Sequence, residues 1–150
     1  MSKTTSDKFQ VEFSFLGSVE NIRKFSIVGK NIVQSIWPDN PNLAFEVELC
    51  LTEALSNAHF HAHNEKCNKS LSYKIKGVGD KIRIHVFDSG NGFSLEQEIQ
   101  KNEFDLLLDH GRGLKIIRNL VDRLDYSRGK QRNKLTIDKK VRSEVNKNGE

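Results

Sequence analysis

Glu53 and Asn57 stand four residues apart in the segment ELCLTEALSNAHFHAHN. On a helix this spacing projects an acid and an amide side by side. At about 100° per residue, Glu46, Glu53, Asn57, His61 and Asn64 all fall within a sector of roughly 80°. Leu51, Ala54, Leu55, Ala58 and Ala62 flank the stripe as a core-facing surface. A solvent face mixes Lys with Glu, whereas this stripe holds two acids, two amides and a histidine, and no cation. An amide carbonyl suits an oxygen-seeking divalent cation such as Mg²⁺, and the neighbouring carboxylate suits a proton acceptor. The plainer reading is an exposed polar face. His61 reads chiefly as a structural group that holds a neighbour. His59 and His63 point elsewhere, and residues two apart on a helix diverge, so His59-x-His61-x-His63 is a poor zinc site.

Two glycine-bearing loops follow. Asp88-Ser89-Gly90-Asn91-Gly92-Phe93 ends a run of alternating strand residues. As a plain turn it needs no further explanation, since Asp, Asn and Gly are turn formers. It could also serve a ligand: a carboxylate at a strand end can accept from an exocyclic amine such as that of adenine. The glycines would let the backbone approach a flat ring, and Phe93 returns to the core. His110-Gly111-Arg112-Gly113-Leu114 runs into an amphipathic helix, whose first N–H groups and dipole suit phosphates. Arg112 either grips a phosphate through its guanidinium or lies in solvent. There is no GxxxxGK[ST] loop and no strand-GxGxxG-helix unit, which disfavours the P-loop and Rossmann nucleotide folds.

The elements that must position these residues follow from periodicity. Residues 9–16 alternate, with Phe9, Val11, Phe13 and Phe15 on one face, and read as a half-buried strand. Ser18 caps a helix that ends at Trp37-Pro38, and 39–42 forms a turn. A long helix covers 43–64. Strands at 70–77 and 81–87, joined through Gly77-Val78-Gly79-Asp80, form a hairpin. Residues 95–110 are mixed, a helix spans 114–124, and two strands close the chain near 125–129 and 134–140. The expected fold is α+β: a two-layer α/β sandwich with helices on one face of a mostly antiparallel sheet. Residues 1–8 read as a flexible N-terminus, 9–141 as one domain and 142–150 as a disordered tail.

Composition narrows the class. The 150 residues are 36% hydrophobic and 29% charged, which fits one moderate core and a solvated surface. No window is apolar enough for a membrane helix and residues 1–8 lack a signal-peptide core, so a cytoplasmic protein is expected. Cys50 and Cys67 form no CxxC pair and read as incidental thiols. The charge of +4 and a pI near 9.1 admit nucleic acid as a partner. However, the excess sits around Arg128, Lys130, Arg132, Lys134, Lys139, Lys140 and Arg142, without the aromatic interleaving that stacks bases. That stretch reads as a solvated basic end, with weak attraction to ATP or an acidic partner as its functional version.

Together, Glu53-x-x-x-Asn57, Asp88-x-Gly90-x-Gly92-Phe93 and Gly111-Arg112-Gly113-Leu114 resemble the GHKL ATPase superfamily. More narrowly, EALSNAHFHA, DSGNGF and GRGLKIIRNLVD look like the anti-sigma-factor serine/threonine-protein kinases. The resemblance spans about residues 9–140. It implies a GHKL-type fold and ATP with Mg²⁺ as cofactors. Asn57 would ligate the metal, and Glu53 would be the catalytic base. Asp88, Gly90, Gly92 and Phe93 would form the purine pocket, while Gly111, Arg112, Gly113 and Leu114 would hold the phosphates beneath a lid at about 95–112. It further implies phosphorylation of an anti-anti-sigma protein of the STAS type, binding of a sigma factor, and a homodimer, with no direct role for nucleic acid or membrane. The departures are a stretch 129–136 without the usual Gly-Thr pair, where Thr136 is the only threonine, and an acidic, leucine-rich lid (FDLLLDH). These leave a non-catalytic ATP-binding regulator as the rival reading.

Overall fold

The computed structural model describes residues 9–62, 70–100 and 113–141. The chain enters through β1 (Gln10–Leu16), whose alternation turns Val11, Phe13 and Phe15 inward. Ser18, in extended backbone, opens α1 (Val19–Ile36) by accepting the Asn21 N–H at 3.0 Å. The helix stops at Trp37 because the residue before Pro38 is pushed out of the helical region. The central helix, α2, spans Pro41–Ala62 and begins two residues earlier than expected. Asn40 Oδ1 accepts the Leu43 N–H at 3.2 Å, and Pro41 takes the first helical position, where its missing donor costs nothing. The anticipated turn thus contracts to the residues before Pro41.

β2 (Ser70–Val78) and β3 (Lys81–Asp88) form the expected hairpin, with Gly79 at φ 63° in its turn. A short α3 (Leu95–Ile99), capped by Ser94, follows. Next come α4 (Gly113–Leu120), β4 (Arg123–Ser127) and β5 (Asn133–Lys140). The last helix is shorter than the expected 114–124, because Arg123 and Leu124 are drawn into pairing with Asp138 and Ile137 of β5. The strands lie in the order β1-β2-β3-β5-β4, and each neighbouring pair is antiparallel.

One sheet face carries the core. Leu71, Tyr73 and Ile75 on β2, Ile82, Ile84 and Val86 on β3, and Leu135 and Ile137 on β5 meet Leu51, Ala54, Leu55 and Ala58 of α2. Tyr73 is fully buried and its hydroxyl donates to the Phe25 carbonyl at 2.6 Å, tying α1 to the sheet. The opposite face has no described helix against it, yet His85 on it is only 9% exposed. Burial first, then Lys134, Lys76, Lys74 and Arg83, push its imidazole down to about 4.

That shift has a signed consequence for stability. An unfolded histidine takes a proton near pH 6.5, whereas the folded one refuses it until about pH 4. Stability is therefore present above pH 6.5 and lost as pH falls towards 4, by at most ~1.4 kcal/mol per pH unit from this group. Urea midpoints at pH 7 and pH 5 should differ more for the wild type than for His85→Gln. An equal acid loss in both proteins would exclude His85 as a source.

Candidate functional site

The α2 stripe divides once the sheet is in place. Glu46 leaves it, because Lys139 Nζ on β5 binds its carboxylate at 2.8 Å and donates to the Leu120 carbonyl at 2.6 Å. The cation that the stripe lacked in sequence is thus supplied from another element. Cys50 lies buried in the same region, and burial pushes its thiol up to about 12, which keeps it unreactive. Asn64 and Cys67 lie outside the described residues, as do Gly111 and Arg112.

Glu53, Asn57 and His61 remain together as successive turns of α2. Glu53 sits against Gly113 at the start of α4: a Cβ at Gly113 would lie 2.6 Å from Glu53 Oε1. That close approach explains the glycine in spatial terms. Half-buried, Glu53 has a carboxyl raised above its ordinary range by desolvation. Asn57 is 5% exposed, and no described residue hydrogen-bonds its amide. Unlike Ser26 Oγ, His61 Nε2 and Tyr126 Oη, which are buried without a partner, the Asn57 amide atoms keep some solvent contact and so stay open to a ligand.

His61 joins this helix to the second loop. Its ring stacks on Phe93 with centroids 4.6 Å apart, and Phe93 stacks on Tyr126 of β4 at 4.0 Å. His61 Nε2 also lies 3.1 Å from Glu98 Oε1 of α3, although without hydrogen-bond alignment. Phe93 is left 7% exposed, so its ring anchors the loop to α2 and β4. Leu114 is likewise buried in the core, which leaves its backbone as the part able to meet a ligand.

The loop itself is held by a polar cluster. Asp88, 4% exposed at the end of β3, accepts the Gly90 N–H at 2.9 Å and Asn133 Nδ2 at 3.0 Å on the same oxygen, Oδ1. Asn133 Nδ2 also donates to the Gly90 carbonyl at 2.9 Å. Gly92 takes φ 82°, a conformation that favours glycine, with Arg128 packed against it. Arg132 covers the Phe87 ring at 3.6 Å, while Arg128, Lys130 and Arg132 all remain exposed, as expected of a solvated basic end.

Asn133 and Tyr126 were not legible as site residues. Asn133 belongs to no motif, and its signal is the strand register that sets it directly across from Asp88. Thr136, the threonine that sequence would offer, faces the other side of the sheet, with its Oγ1 3.1 Å from His85 Nδ1.

From Glu53 to His61, eight residues of helix span about 12 Å. The glycine entry to α4 lies at one end and the Asp88–Phe93 loop at the other. An antiparallel sheet with helices on one face, and this polar stripe set between two glycine-bearing segments, is the arrangement of an ATPase-type α+β domain. The chain belongs to the histidine kinase-like ATPase domain family, whose model matches residues 18–139. Among curated proteins it is similar to the serine-protein kinase RsbW of Staphylococcus aureus, 31% identical over 85 residues, covering 51% of this chain and 54% of that protein. It is also similar to the serine-protein kinase RsbW of Bacillus subtilis, 27% identical over 84 residues and covering 51% and 52%. The serine/threonine-protein kinase BtrW of Bordetella bronchiseptica is 26% identical over 98 residues, covering 63% and 69%. The chain spans about half the length of the RsbW relatives it matches. Among solved structures, the Acinetobacter baumannii histidine kinase AdeS aligns with a TM-score of 0.46 at 17% identity, covering 85% of this chain and 67% of that one. No helix among the described residues is long and apolar enough to cross a membrane.

Proposed function

We propose that this protein is an ATP-dependent serine/threonine-protein kinase whose substrate is a small regulatory protein. The observation that carries the reading is Asn57: a nearly buried amide with no described partner, one turn from a half-buried carboxylate of raised pKa. An acid whose pKa is raised by burial, beside an amide left open to a ligand, is a candidate for a functional site. The serine and serine/threonine kinase names of the relatives point the same way.

In this reading Asp88 accepts from the adenine amino group through Oδ2, because Oδ1 is already occupied by Gly90 and Asn133. Gly90 and Gly92 shape the purine pocket. Gly113 and Leu114 present backbone N–H groups to the phosphates, with Gly111 and Arg112 preceding them in the chain. Asn57 fits Mg²⁺, which keeps most of its waters and takes few protein ligands; bound there it would neutralise phosphate charge. Glu53 accepts the proton of the substrate hydroxyl as that oxygen bonds to the γ-phosphorus and the bond to the β-phosphate oxygen breaks, releasing ADP. Its raised pKa makes it a better proton acceptor than an exposed carboxylate.

The sequence resemblance supplies the finer part of the proposal. The substrate would be an anti-anti-sigma protein of the STAS type, a sigma factor would bind when that partner is absent, and the active form would be a homodimer in the cytoplasm. Incubation with γ-labelled ATP, Mg²⁺ and candidate STAS proteins tests this directly. Label appearing on a serine or threonine supports the kinase. Stable ATP binding with no transfer to any partner supports the rival, a regulator that holds ATP as a structural ligand.

Asn133 gives this site a more local test. Removing its amide in Asn133→Ala leaves the buried Asp88 with one donor fewer, a cost of about 1–3 kcal/mol. ATP affinity measured by calorimetry should fall roughly tenfold, in line with a cost of that size. Affinity unchanged in a folded Asn133→Ala protein would remove Asp88 and its amide brace from the purine site.

A further inference from the structure

The face of the sheet turned away from the helices is strongly basic. Strand alternation places Lys74 and Lys76 of β2, Lys81 and Arg83 of β3, and Lys134 and Lys140 of β5 on it. Four of these cations oppose one another directly across the ladder in two pairs: Lys76 faces Arg83, and Lys81 faces Lys140. Like charges in such positions destabilise a sheet. Glu12, directly across from Lys74, and Asp125, across from Thr136, lie on the same face and offset part of this, as does Asp138. It is 1% exposed, receives two hydrogen bonds from Arg83 at 2.7 and 2.9 Å, and has Lys81 at 3.6 Å. Those hydrogen bonds hold its carboxyl below the usual range. Asp138 is thereby spent within the face. Lys74, Lys76 and Lys134 form no ion pair among the described residues, and they surround the buried His85.

We propose that this face, which carries no described helix, is a docking surface for an acidic protein, with Lys74, Lys76 and Lys134 as its principal contacts. The proposal stands on the sheet alone and does not depend on the nucleotide site. Lysines two apart on one strand are separated by about 6.6 Å, a spacing that carboxylates on alternate residues of an extended acidic segment reproduce. Duplex nucleic acid fits poorly: five strands at about 4.8 Å make a flat surface wider than the ~12 Å major groove. Single strands need open aromatic rings, and the aromatic ring on this face, Phe87, lies beneath Arg132. A second copy of the chain would bring cations against cations.

A short fluorescein-labelled poly-glutamate peptide serves as the probe, read by anisotropy with the full chain. The wild type should bind it and weaken as salt rises. The double variant Lys74→Glu/Lys76→Glu should bind about tenfold more weakly, as expected for reversed charges at a contact. Lys24→Glu, on the exposed side of α1, is the control and should stay within about twofold. The His85 imidazole resonances should shift on adding peptide. Circular dichroism verifies folding; if the double variant fails to fold, Lys134→Gln replaces it, with an expected loss of about threefold. Equal losses in Lys24→Glu and the face variants would overturn the proposal. So would unmoved His85 resonances, or tighter binding of a short DNA duplex or phosphatidylserine vesicles than of the acidic peptide.

Discussion

Glu53→Ala should bind ATP within about twofold of the wild type while transfer to a protein hydroxyl falls by about 10²- to 10⁴-fold, the range for loss of a positioned general base. The split follows from geometry. Glu53 lies against the glycine that opens α4, beside the backbone donors proposed for the phosphates, and makes no hydrogen bond or ion pair with a described residue that the fold would miss. Its raised pKa adds a signature. The base must be ionised, so transfer should rise with pH through a value above the ordinary carboxylate range. In Glu53→Ala that acidic limb should disappear along with most of the rate. Transfer at the wild-type level, or a limb that persists in the variant, would take Glu53 out of the mechanism.

Asn57→Ala should lose Mg²⁺-dependent ATP binding by about tenfold to a hundredfold, the 1.5–3 kcal/mol associated with one contact to a charged partner. The same change should hardly alter the thermal midpoint of the ligand-free protein, because no described residue hydrogen-bonds the amide that is removed. Calorimetry with and without EDTA, beside a melting curve, measures both quantities. If stability collapses while MgATP affinity holds, the amide is a structural group and the metal assignment fails. If both hold, the cleft does not use Asn57.

These outcomes also bear on how far the residues alone could lead. The α2 stripe was visible because helical periodicity is a local property: Glu53, Asn57 and His61 share a face whatever packs on it. The boundary of that helix was less visible. Asn40 and Pro41 are turn formers by composition, and they became cap and first helical residue only because a long buried helix follows them. The end of α4 was misplaced for a related reason. Residues 121–124 continue an apolar helical pattern, but a free strand edge on β5 competes for Arg123 and Leu124 and wins them.

By itself the sequence determined the order of elements, the antiparallel hairpin, the identity of the central helix and the two glycine loops. All of these depend on spacing along a few turns or a few strand residues. Only the tertiary structure decided which members of the stripe stay in the site, since Glu46 is claimed by Lys139 from the far end of the chain. It also placed Asn133 rather than Thr136 beside Asp88, and it set Phe93 between His61 and Tyr126. Those pairings join residues far apart in sequence through strand register and side-chain stacking. Neither leaves a local periodic trace, because a contact between distant segments is fixed by how whole elements pack rather than by the residues next to it in the chain.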